Sequence, residues 1–167
     1  MQLPSTRAHS KSPKSMFTLM SQEPPNKFSR TSYGPEPYRT AAEVSLDERV
    51  VAVLEGQAKF LLREVIGLTA LKKIPEGLIA KRFQAELPVK VDQVLEYIKS
   101  NGLPNGFGGW GVQLKECFNG WQLIQIDDRG PDALRIFATR YDAERALLLL
   151  CERTVQPYVI GALSGEK

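Results

Sequence analysis

A chain of 167 residues with 43% apolar and 25% charged side chains can build one domain and a tail, and is too short for two full domains. Its formal charge of +3 hides an imbalance: residues 1–40 hold six Lys/Arg against two Asp/Glu, and the remainder holds 16 against 17. A near-neutral body argues against a strongly cationic nucleic-acid binder, and the longest apolar run, residues 146–151, is far too short to span a bilayer.

Residues 1–40 carry six of the eleven prolines, many Ser, Lys and Arg, and no hydrophobic periodicity. This composition predicts a disordered basic arm. Residues 1–22 contain no acid, as in organelle transit peptides, but their prolines and lack of an amphipathic pattern favour a plain flexible arm. Met16 and Met20 are alternative starts. Cytoplasm is the default location, with organelle targeting by residues 1–22 left open, and no membrane partner is expected.

Residues 41–167 are expected to form a single α+β domain, helical over 41–101 and built of a sheet plus a helix over 107–156. Ser45-Leu46-Asp47-Glu48 reads as a capping box that opens a helix. Leu46, Val50, Leu54, Leu61, Val65 and Leu68 recur at helical spacing, and Val51, Phe60 and Leu62 widen the stripe. The spacing predicts one long N-terminal helix over 46–71, with Gly56 costing ~1 kcal/mol relative to Ala. So broad an apolar face must be buried against the body or against a second copy, as a homodimer. Pro75 and Glu76-Gly77 interrupt the pattern, and a short helix is expected over 78–83. After Pro88, Val91, Val94, Leu95 and Ile98 mark another helix that stops at Asn101-Gly102.

A Gly- and Pro-rich loop, 102–109, then leads into three strands at about 110–118, 121–127 and 133–139. Asn119-Gly120 between the first two is a strong hairpin signal, with both residues expected at positive φ. Val112 and Leu114 alternate with Gln113 and Lys115, and Leu134 and Ile136 with Arg135 and Phe137. The second strand is apolar on both faces. The last helix, from about Tyr141-Asp142 to Arg153, is apolar nearly all round, so it should cover one sheet face and be covered elsewhere itself. The other face is then expected to present Gln113, Lys115 and Arg135.

Gly111-Val112, Gly120-Trp121 and Tyr141-Asp142-Ala143-Glu144-x-Ala146 follow one another in an order that resembles the Apetala/ethylene-response type of DNA-binding domain, also found at the N-termini of some phage integrases. The resemblance covers about residues 110–153. It implies a three-stranded antiparallel sheet packed on a helix, with Arg and Trp side chains of the exposed face in the major groove. This chain departs from that pattern in the first strand, where Gln113 and Lys115 stand in place of arginines, and it lacks the Leu-Gly before the aromatic.

Signs of catalysis are few. The single histidine, His9, lies in the arm, and Cys117 and Cys151 lack metal-ligand spacing. Gly106-Phe107-Gly108-Gly109-Trp110-Gly111 spells a dinucleotide motif, but it follows a helix and precedes a strand, the reverse of what pyrophosphate binding needs. Asp127-Asp128 read as turn residues, and Asp142 with Glu144 as acids at a helix N-terminus. No catalytic residue, cofactor or metal is therefore expected. The first functional expectation is a nucleic-acid-binding protein, with duplex DNA as target. Gln113, Lys115 and Arg135 would contact groove or backbone, Arg129 and Arg140 would meet phosphates, and the basic arm would help. A helix-turn-helix presenting Lys90, Gln93 and Lys99 is a second route, opposed by Glu86, Asp92 and Glu96. The rival is a protein-interaction or assembly subunit that uses the 46–71 helix and has no nucleic-acid role.

Overall fold

The computed structural model describes residues 39–109 and 111–165; the arm, apart from Arg39 and Thr40, lies outside them. Among the described residues the architecture is α+β, with five α-helices before a three-stranded antiparallel sheet and two after it. None of the helices among the described residues is long and apolar enough to cross a membrane.

The long helix expected over 46–71 is in fact three. Helix α1 is Leu46–Leu54, α2 is Ala58–Ile66 and α3 is Leu68–Lys72. Gly56 takes φ +69° and Gly67 φ +83°, a left-handed backbone that ends the hydrogen-bond ladder where a helix would need negative φ. The expected cost of a glycine inside a helix is thus replaced by two breaks between helices. They fold the apolar stripe onto itself: Val50, Val53, Leu54, Leu61 and Leu62 are all buried in one core. The Ser45 hydroxyl does accept the Glu48 N–H at 3.2 Å. A 3-10 turn at Ala41–Glu43 precedes it.

Helix α4 runs Glu76–Glu86 and α5 runs Val91–Asn101. Phe83 of α4 is fully buried, edge-on to Tyr158 with ring centroids 5.6 Å apart. Helix α4 packs mainly on α2 and the C-terminal turn, whereas α5 packs on α1 and on α6 (Arg140–Leu150). They are not stacked as the two helices of a helix-turn-helix pair. The C-terminal segment closes this core. Ile160 pairs with Lys90 in a parallel bridge, and the Gln84 amide donates to the carbonyls of Pro157 and Val159.

The strands are β1 (Val112–Cys117), β2 (Gly120–Asp127) and β3 (Gly130–Phe137), in that spatial order. Cys117 pairs with Gly120, so Phe118 and Asn119 form the two-residue turn. Among the described residues no side-chain-bearing residue has positive φ. Gly120 instead opens β2 at φ +133°, and a Cβ there would stand 2.2 Å from the Phe137 carbonyl oxygen. In β3 the register against β2 jumps between Leu123 and Ile124, leaving Leu134 as a bulge residue. Helix α6 is two-sided, as its composition suggested. Leu148 belongs to the helical core, while Ala143 and Leu147 are buried outside it, and α6 packs across all three strands. After α6 come α7 (Glu152–Val155) and a 3-10 turn at Gln156–Tyr158.

Candidate docking surface

Leu123, at the centre of β2, is buried to 3% exposure and defines the sheet face that meets α6. Strand alternation and register assign its companions. Leu114 and Arg135 lie opposite Leu123, and Trp121 lies opposite Glu116 and Phe137. The other face carries Gln113, Lys115, Gln122, Ile124 and Ile136, paired Gln113 to Ile124 and both Lys115 and Ile136 to Gln122. The amino-terminal helices leave that face open. Ile136 is 53% exposed, Leu134 44% and Ile126 37%, and Phe118 stands fully in water at the β1–β2 turn.

This corrects the expected grouping of Gln113, Lys115 and Arg135. The first two share the open face and are exposed. Arg135 is on the α6 side, stacked on Phe137 at 5.0 Å and lining a cleft with α6 residues. The bulge at Leu134 shifts the facing of everything after it, a change that simple alternation cannot anticipate. Arg129 occupies the β2–β3 turn and pairs with Asp127 at 3.2 Å. Arg140 begins α6, where its Nε donates to Glu144 at 2.8 Å and its guanidinium lies 5.3 Å from the Trp121 ring centre. Two of the five nominated side chains are therefore together on the open surface. Two more are engaged by carboxylates of their own neighbourhood, and the fifth lies on the opposite side.

Glu144 fixes the sheet's approach to the helices. Its carboxylate, 3% exposed as a residue, accepts from Arg140 and from the Leu103 N–H at 3.1 Å. Gly102, at φ +79°, passes so close that a Cβ would meet the Arg140 guanidinium at 2.8 Å and the Glu144 carboxylate at 3.0 Å. The glycine-rich loop after it continues the packing: Gly108 would bring a Cβ to 3.1 Å from Leu147. These glycines bring the loop close against α6. Cys151 flanks the same loop, and burial pushes its thiol pKa up, which makes it a poor nucleophile. Cys117 and Cys151 are free thiols, and no cluster among the described residues could hold a metal ion.

Sequence reading missed one charged cluster. Arg39, counted with the arm by composition, donates to both carboxylate oxygens of Glu48 at 2.8 Å and to Glu64 at 3.0 Å. Glu48 and Glu64 side chains are only 7% and 3% exposed. Hydrogen bonding to Glu48 raises the Arg39 pKa, burial opposes this, and Glu64 adds to the rise. A signal was present: two acids on the buried side of an apolar pattern require a cation. On α5, Lys90 and Lys99 are exposed, but Gln93 is half-buried and caps the helix by accepting the Lys90 N–H at 2.8 Å.

No family model, curated protein or solved structure matches this chain.

Proposed function

We propose that this chain is a non-enzymatic interaction subunit that offers the open face of its sheet to a protein partner. The observation that carries the reading is exposed apolar surface on the sheet, next to a face that no helix covers. Ile126, Leu134 and Ile136 stay in water on the sheet, while Val50, Leu54, Leu61 and Leu62 of the helical stripe are buried. Contiguous exposed apolar residues with a polar surround mark interaction sites, and Gln113, Lys115 and Gln122 supply that surround. A homodimer through the 46–71 stripe has less support, because most of that stripe, including Val50, Leu54, Leu61 and Leu62, lies in the internal core.

The nucleic-acid reading has less support. Residues 112–139 hold three Lys/Arg against four Asp/Glu, and residues 39–165 hold 16 of each. A surface without excess positive charge gains little from counterion release. The Arg and Trp side chains that an Apetala-type reading would place in a groove are turned toward α6 as Arg135 and Trp121.

The test is a photo-crosslinking amino acid placed at Ile124, with Lys99 on α5 as the control position. A discrete adduct from Ile124 is expected, identified by mass spectrometry as one protein that in turn recovers this chain when tagged. Ile136→Asp should abolish it. Adducts equally frequent at both positions, or with nucleic acid alone, would overturn the reading.

A further inference from the structure

The outer edge of β3 and the groove beneath it carry an inference about how a partner engages, one that rests on the protein-docking reading above. Strand order leaves β3 at the sheet's edge, where every second residue points its N–H and C=O away from β2. Among the described residues none of those outward groups has a backbone partner. Natural edges are usually blunted, and β3 is blunted in its first half only, by Pro131 and by the Leu134 bulge. Residues 135–138 are left as a short pairing template.

Alongside that template runs a cleft of about 540 Å3 between β3 and α6. Arg135 enters it from the strand and Arg145 from the helix; Phe137, Leu149 and Leu163 supply apolar wall. Both arginines are exposed. Among the described residues Arg49 donates to backbone carbonyls, and Arg39, Arg82, Arg129 and Arg140 have carboxylate partners. Arg135 and Arg145 have none among the described residues. Among the described residues the one acid lining the cleft, Asp142, accepts from the Thr139 hydroxyl at 2.6 Å. Two guanidiniums lining one cleft, neither in an ion pair among the described residues, next to unpaired backbone, are complementary to an extended backbone bearing carboxylates.

We propose that β3 accepts an added strand from a protein partner, an extended segment whose Glu or Asp side chains pair with Arg135 and Arg145. Alternation in such a strand sends one set of side chains into the cleft and the other beside Ile136. The segment therefore carries acids at every second position with apolar residues between them. The added strand continues the sheet, so its outer side chains extend the open apolar face.

A fluorescein-labelled peptide of alternating Val and Glu is the probe, titrated against the full chain by anisotropy and followed by amide NMR shifts. Binding is expected, with shifts at residues 135–138 and at Arg145. Exchanging Glu for Lys should weaken binding at least about tenfold, as should Arg135→Glu or Arg145→Glu, each removing a charge-assisted contact. N-methylation of alternate peptide amides, on the register that pairs with β3, should abolish it. The proposal is overturned if the Lys peptide binds as well, if shifts lie away from β3, or if the Glu peptide does not bind. A silent peptide alongside an Ile124 crosslink would remove the strand-addition mode alone. Loss of the crosslink with retained peptide binding would remove the open-face reading and leave the edge.

Discussion

Arg39 is a cation bracketed by two buried carboxylates, and its role is set by what would remain without it. Truncation to Ala would leave Glu48 and Glu64 facing each other in the interior of α1 and α2. A broken buried pair typically costs about 3 kcal/mol or more. Arg39→Ala is therefore expected to lower the unfolding free energy by that amount, read as a lower urea midpoint at unchanged slope, with Arg39→Lys recovering part of it, since an ammonium cannot fork to two oxygens of Glu48. Unchanged midpoints would mean that solvent already neutralises the two acids. At this scale the sequence was poorly legible. Arg39 sits among prolines and basic residues, and nothing local reveals a partner 25 residues away.

Among the elements, the glycine that opens β2 is the most exacting. Its φ of +133° and the 2.2 Å approach to the Phe137 carbonyl leave no space for a side chain. Gly120→Ala should cost about 2 kcal/mol through strain and displaced backbone, read as a lower melting temperature and faster hydrogen exchange at the β2–β3 pairs. The hairpin itself was spelled out by Asn119-Gly120, but the turn falls one residue earlier, on Phe118-Asn119. Strands and helices α4 to α6 could be read to within a few residues, because alternation and Pro/Gly punctuation are local signals. The break-up of the 46–71 helix could not. Periodicity reports which residues are apolar, and it does not report that two glycines turn to positive φ and fold the stripe back on itself. The facing of Arg135 failed for a related reason, since one bulge residue reverses all later alternation.

For the whole molecule, charge distribution separates the competing functions. With 16 cations and 16 acids over residues 39–165, attraction to a polyanion must come from the arm. Full-length protein carrying Lys115→Ala is expected to bind random duplex DNA within about twofold of the parent at fixed salt, because a single phosphate contact contributes little beside an arm's several. A large loss in fluorescence titration would return the sheet to the nucleic-acid reading. The architecture has a further consequence through α6, which faces the helical core with Leu148 and the sheet with Ala143 and Leu147. The three strands join the rest of the molecule mainly along this seam. Peeling them away disturbs few contacts elsewhere, so the ribbon layer can open as a cooperative unit well before the α-helical half melts. Whatever clasps that layer would raise its unfolding threshold selectively.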